Sequence, residues 1–259
     1  MKKSKINRFA VSSLQLAVIL LLIGGQAWAL TKKFEGTTLI EDAMIASASP
    51  DNNYGDMGND DIEISPTKFM IIRVLNLASE IGPDATLSAG VCSIYCMMEV
   101  GGAKTIRAGQ VLKPWVEGTQ SGGTNEPGVT WNDWDNDDWE WTTAGCGCAN
   151  DDGVDNSSDN GACDDPSRRD RKATQQSSQS VNATGWFVWS ISAALCQAWY
   201  DGTSNENGIL IYTSSSGSSL WRGSENSLGF QPHFTFTYTT DGEEADKPRK
   251  NIMSGGILK

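Results

Sequence analysis

Histidine is all but missing: His233 is the only one in the chain. A nucleophile triad needs an imidazole beside its serine or cysteine, and the Gly-x-Ser-x-Gly turn of the hydrolases is absent too, so triad catalysis has little to stand on. Basic residues are scarce, 20 Lys and Arg against 32 Asp and Glu. Nucleic-acid binding depends on cations that neutralise phosphates and is set aside on that count. No apolar run reaches the about 20 residues that cross a bilayer. A thiolate metal site is disfavoured as well, because Cys146-Gly147-Cys148 lacks the usual two-residue ligand spacing.

What is present begins with an export leader. Lys2, Lys3, Lys5 and Arg8 precede a short apolar run, Leu16 to Ile23, and Ala27-Trp28-Ala29 supplies small residues at a cleavage point. Residues 1–29 therefore read as a signal peptide, with the mature chain starting at Leu30 and residing outside the cell or on its surface. Its removal leaves 16 basic against 32 acidic residues. So acidic a chain suits solubility and divalent cations better than polyanions.

All six cysteines, Cys92, Cys96, Cys146, Cys148, Cys163 and Cys196, follow the leader. An even count in an exported chain predicts disulfides. The expected pairs are Cys163 with Cys146 or Cys148, and Cys92 with Cys196, with Cys96 as the competitor.

The body of the chain is strand-like: Leu39 to Ser47, Thr67 to Leu75, Gly90 to Val100, Gly185 to Ile191, Gly208 to Ser214 and Pro232 to Tyr238 are short, apolar and bounded by turn residues. In the last of these Phe234, Phe236 and Tyr238 alternate with His233, Thr235 and Thr237, the pattern of a strand that covers a core on one face. Only Ser192 to Tyr200 reads as a helix. The fold class is all-β, a jelly-roll-like antiparallel β-sandwich over residues 30–238. Residues 149–182 carry almost no large apolar side chain and read as a mobile acidic and polar insertion. Residues 239–259 read as a flexible tail.

The order of several motifs resembles the DNRLRE-type domain, the disaggregatase-related β-sandwich classed as carbohydrate-binding module family 96. The stretches that carry the resemblance are PDNNYG (Pro50 to Gly55), FMIIRVLNL (Phe69 to Leu77), WVEGT (Trp115 to Thr119), GVTWN (Gly128 to Asn132), AWYDGTSNENGILI (Ala198 to Ile211), WRGSEN (Trp221 to Asn226) and PHFTFTY. Arg73 departs from the pattern, being followed by Val74-Leu75-Asn76 where the family has Phe-Asp. The resemblance implies an extracellular polysaccharide-binding module, one part of a larger secreted enzyme or surface protein, with acidic polysaccharides such as alginate among the family's ligands.

Sugar recognition needs flat aromatic faces and polar groups beside them. Val129 to Trp141, VTWNDWDNDDWEW, interleaves four tryptophans with acids. Trp115 and Trp131 read as core, while Trp134, Trp139 and Trp141 are expected to form a stacking platform; Trp221 with Arg222 and Glu225 is a second candidate. Asp133, Asp135 and Asp137 offer hard oxygens to Ca²⁺, as do Asp151, Asp152, Asp155 and Asp159. The basic cluster Arg168, Arg169, Arg171 and Lys172 reads as a solvated charge run. The expected function is thus a secreted, non-catalytic polysaccharide-binding protein, with Ca²⁺ as a candidate structural ion and polysaccharide-degrading enzymes or the cell surface as candidate associates. Two rivals remain: a structural or adhesive surface protein, and a polysaccharide lyase or glycosidase using a carboxylate pair drawn from Glu117, Glu126, Glu140, Glu206 and Glu225.

Overall fold

The computed structural model describes residues 28–58, 61–124, 127–135, 139–141, 144–146, 170–204, 208–226 and 229–240, with the side chains of 139, 173 and 174 outside the description. In chain order the strands are β1 (Leu30–Glu35), β2 (Ile40–Ala46), β3 (Asn53–Tyr54), β4 (Ile62–Ile64), β5 (Lys68–Val74), β6 (Ala85–Val100), β7 (Lys104–Val111), β8 (Ser121–Gly123), β9 (Asp133–Asp135), β10 (Trp139–Glu140), β11 (Arg171–Val181), β12 (Gly185–Ile191), β13 (Ile209–Tyr212), β14 (Ser218–Trp221) and β15 (His233–Thr240). Two short helices, α1 (Leu77–Ile81) and α2 (Ala193–Tyr200), complete the described elements.

The result is an all-β sandwich of antiparallel strands. The first sheet runs β1-β15-β6-β14-β4, with β12 on the other edge of β6; the second runs β11-β7-β13-β5-β2. The long β6 is the spine of the first sheet, since Cys92 faces Trp189 of β12 on one side and Phe234 of β15 on the other. Side chains from both sheets meet between them, Phe34, Ile94, Trp189, Trp221, Phe234 and Phe236 from one and Ile40, Met70, Ile72, Ile106, Ile209 and Ile211 from the other. Trp189 Nε1 donates to Ile106 O across the sandwich at 3.1 Å, so this buried indole is also hydrogen-bonded.

The two sheets differ on their outer faces. In β13 every residue is buried, as continuous apolar runs are when a strand is covered on both sides. Ile209 and Ile211 face the inter-sheet core, whereas Leu210 and Tyr212 join Ala43, Ile45, Ile71, Val111, Trp115, Val129, Trp141 and Cys146 in a second cluster on the outside of the second sheet. The outer face of the first sheet carries alternating polar and apolar side chains and, among the described residues, no such cover.

The expected helix forms: Ser192 caps it, its hydroxyl accepting from Leu195 N at 3.3 Å. The expected insertion is shorter than its composition suggested. Arg171–Val181 is an edge strand that pairs with β7 from Arg171 to Val181. An edge strand has one open side and survives with few apolar residues, which is why Gln and Ser dominate it; Asp170, Arg171 and Val181 are buried at its ends. Residues 147–169, including Cys148, Cys163, Asp151, Asp152, Asp155, Asp159, Arg168 and Arg169, lie outside the described residues, as do residues 1–27 of the leader and 241–259 of the tail. Thr239 and Thr240, assigned to the tail, still belong to β15.

The disulfide expectation is corrected where it can be read. Cys92, Cys96, Cys146 and Cys196 are buried free thiols. Cys196 Sγ sits 2.5 Å from where a Cβ on Gly90 would stand, so the helix thiol fills the gap left by that glycine rather than reaching Cys92 two residues further along β6. Cys146 Sγ turns to Asp170 O at 3.7 Å. Burial pushes the Cys96 and Cys196 thiols up to about 11 and about 12, which makes them poor nucleophiles.

Candidate functional site

Among the described residues, the tryptophan-rich segment covers the outside of the second sheet. Trp141 is 4% exposed and its Nε1 donates to Thr130 O at 3.0 Å. Trp131 packs on Phe69 with ring centroids 5.2 Å apart, and Trp134 is partly buried against the same cluster. The outside of the second sheet is apolar, and Trp131, Trp134 and Trp141 help close it off from water. Trp115 lies in the same cluster, beneath the Arg73 guanidinium at 4.7 Å from its ring, as expected of a packing residue. The Trp139 side chain lies outside the described residues.

Trp221, expected as a second platform, is fully buried in the inter-sheet core, its Nε1 donating to Ser219 Oγ at 2.8 Å. Arg222 pairs with Asp61 at 2.9 Å. Asp133 is occupied in a turn, its carboxylate accepting from Thr130 Oγ1 at 3.3 Å. Asp135 lies beyond it on β9, and Asp137 is outside the described residues, so no calcium cage is assembled there among the described residues.

The carboxylates that the fold does gather are Asp42, Glu117 and Glu225, with one oxygen from each within 4.8 Å of the others. β2 is the edge of the second sheet, and its Ile40, Asp42 and Met44 point into the sandwich, which puts an acid at an interior position. Asp42 N, left unpaired by the edge, donates to Glu117 Oε1 at 2.7 Å. Ser224 completes the link: its N donates to Asp42 Oδ2 and its hydroxyl to Glu225 Oε1, each at 2.7 Å. Glu225 Oε2 is buried and has no hydrogen-bond partner.

Asn53 holds the Glu117 loop in place. Its Nδ2 donates to Glu117 O and Val129 O at 2.8 and 2.9 Å, and its Oδ1 accepts from Gln120 N at 3.2 Å. Gly118, at φ 83°, is required here, because a Cβ would stand 2.3 Å from the asparagine oxygen.

Burial raises all three acids. The Glu117 carboxyl is pushed up to about 9. Burial, then the charge of Glu225, holds Asp42 well above the ordinary carboxylate range, and burial raises Glu225. Three carboxylates this close cannot all stay charged at neutral pH without compensation; they retain protons or share a hard cation. Glu117 and Glu225 stood among the carboxylates of a conceivable glycosidase pair, whereas Asp42 was missed. The clue was a lone acid at an inward position between Ile40 and Met44.

A second arrangement lies on the open face of the first sheet. Strand alternation places Trp186, Val188 and Ser190 of β12, Val91, Ser93 and Tyr95 of β6, His233, Thr235 and Thr237 of β15, and Lys33 and Glu35 of β1 on this side. Trp186 is 42% exposed, Val188 40% and Phe230, in the loop before β15, 41%. Trp186 meets Tyr95 at 5.4 Å and His233 at 5.0 Å edge to face, and Phe230 lies tilted against Tyr95 at 4.5 Å. Burial, reinforced by Lys33, lowers the His233 imidazole, which is therefore neutral at pH 7. Lys33 and Glu35 form an ion pair with each other.

No protein-family model matches the chain, and no curated protein matches it. Chemistry must therefore be argued from these two arrangements.

Proposed function

We propose that this chain is a secreted, non-catalytic polysaccharide-binding protein that presents the open face of its first sheet to the sugar. The observation that carries this reading is the cluster of Trp186, Tyr95 and His233 on the sheet with Phe230 from the loop before β15, a partly exposed set of rings in mutual contact. Aromatic faces take up the C–H side of a pyranose, and the hydroxyls of Ser190, Thr235 and Thr237 lie on the same face for its polar edges. The resemblance of the motif order to DNRLRE-type domains is in keeping with this reading. Calcium, expected at Asp133, Asp135 and Asp137, is better served by Asp42, Glu117 and Glu225: three hard oxygens converge from β2, the 114–120 loop and the loop after β14, and Glu225 Oε2 lacks any other partner. A cation there ties two edges of the sandwich together and has a structural role.

The test is affinity electrophoresis of the protein in gels containing polysaccharides. Retardation by at least one polysaccharide, lost in Trp186→Ala while the variant still melts in one cooperative transition well above the temperature of the gel, supports the reading. Unchanged mobility on every polysaccharide overturns it.

A further inference from the structure

Resting on that reading, we infer that the ligand is a neutral polysaccharide bound as a single, soluble chain, neither a polyanion nor the flat surface of a crystalline polymer. Two observations carry the inference.

The first is charge. The protein is strongly acidic, with a formal net charge of -12. On the open face the charges of β1, β12, β15 and the facing part of β6 reduce to Lys33 and Glu35, and these neutralise each other. His233 adds none at neutral pH. Binding a uronate chain would require donors of positive charge to offset both the ligand and the protein's own field. Arg222, the nearest cation in sequence to Phe230, is already paired with Asp61. A neutral chain meets no such cost, and the hydroxyls around the rings match its own.

The second is the tilt of the rings. Tyr95 and Trp186 stand 73° apart, Tyr95 and Phe230 55°, and Trp186 and His233 61°. A crystalline facet offers sugar faces in one plane and can lie flat on only one of these rings. A free chain turns about its glycosidic bonds, so successive residues can present their C–H faces to rings of different tilt. Strand pairing pre-organises Tyr95, Trp186 and His233, so binding spends little on ordering these rings.

The experiment uses the mature chain and Trp186→Ala, with melting curves for both. Soluble neutral polymers (mixed-linkage glucan, xyloglucan, galactomannan, arabinoxylan) and polyanions (alginate, polygalacturonate) are cast in gels; microcrystalline cellulose and chitin are used in pull-downs. We expect retardation by a neutral soluble polymer, weakened about tenfold or more in Trp186→Ala, with no retardation by the polyanions and no depletion by the crystalline solids. Tighter retention on alginate or polygalacturonate, or depletion by a crystalline solid, overturns the inference and leaves polysaccharide binding standing. Retention on nothing overturns both. In that event light scattering that shows a dimer abolished by Trp186→Ala identifies the face as a contact between copies of the chain.

Discussion

Raising the pH should loosen this fold, and calcium should restore it. Glu117 holds its proton up to about 9 against an ordinary 4.5. The folded chain therefore binds a proton that the unfolded chain releases, so its contribution is fully present below about pH 4.5 and is lost as pH climbs towards about 9. Each retained proton costs about 1.4 kcal/mol per pH unit. From about pH 5.5 to about pH 7.5 that amounts to about 2.7 kcal/mol, which the residual solvent contact of Glu117 reduces to about half. For a domain of this size, about 2–4 °C per kcal/mol turns the reduced figure into a fall of about 3–6 °C in Tm. Asp42 and Glu225 shift in the same direction and add to the fall. Calcium at about a hundred times its Kd returns about 2.7 kcal/mol, or about 5–11 °C. The assay is differential scanning calorimetry at both pH values, in EDTA and in calcium. Glu117→Gln keeps an oxygen to accept the Asp42 N–H but cannot titrate, so it should flatten the pH response and weaken the calcium response. A wild-type Tm that rises with pH in EDTA, or one that neither pH nor calcium moves, refutes the reasoning.

Trp221→Ala should cost about 3–5 kcal/mol, as other buried aromatics do, and lower Tm well beyond Trp186→Ala, whose ring is partly exposed; equal effects of the two in the same melting assay would show that the assignment of inner and outer faces is wrong. Asn53→Ala removes the bonds that fasten the Glu117 loop and should cost about 2–3 kcal/mol while weakening the calcium response, read by denaturant unfolding with and without the ion. Cys92, Cys96, Cys146 and Cys196 should be unreactive towards a thiol reagent in the native protein and react on unfolding without reductant; a mass spectrum showing Cys92 bonded to Cys196 would contradict the packing of Cys196 against Gly90.

Much of the fold could be read in the residues. The alternation in Pro232 to Tyr238 correctly sent Phe234 and Phe236 inward, and Ser192 marked the start of α2. The same alternation in Gly185 to Ile191 separates Phe187, Trp189 and Ile191 from Trp186, Val188 and Ser190, so the exposed Trp186 was legible too, though overlooked beside the denser Val129 to Trp141. That segment misled because acids next to tryptophans look like surface in one dimension, whereas a two-sided sheet needs rings on its outside and charges beyond them. The acidic trio was illegible as a unit: its members come from positions 42, 117 and 225, and only the edge of β2 brings them together. Ser- and Gln-rich Arg171–Val181 concealed a strand because composition reports burial, and an edge strand needs little.

The bond from Asp42 N to Glu117 Oε1 also bears on solubility. An edge strand with free N–H groups is a template on which another chain can add itself, strand to strand. Ile40–Ala46, apolar along most of its length, would be a strong template if bare. Glu117 and its loop occupy that edge, so a substitution that frees the loop should let the sandwich grow by β-augmentation, with the lag time of its aggregation shortening as the loop's anchorage weakens.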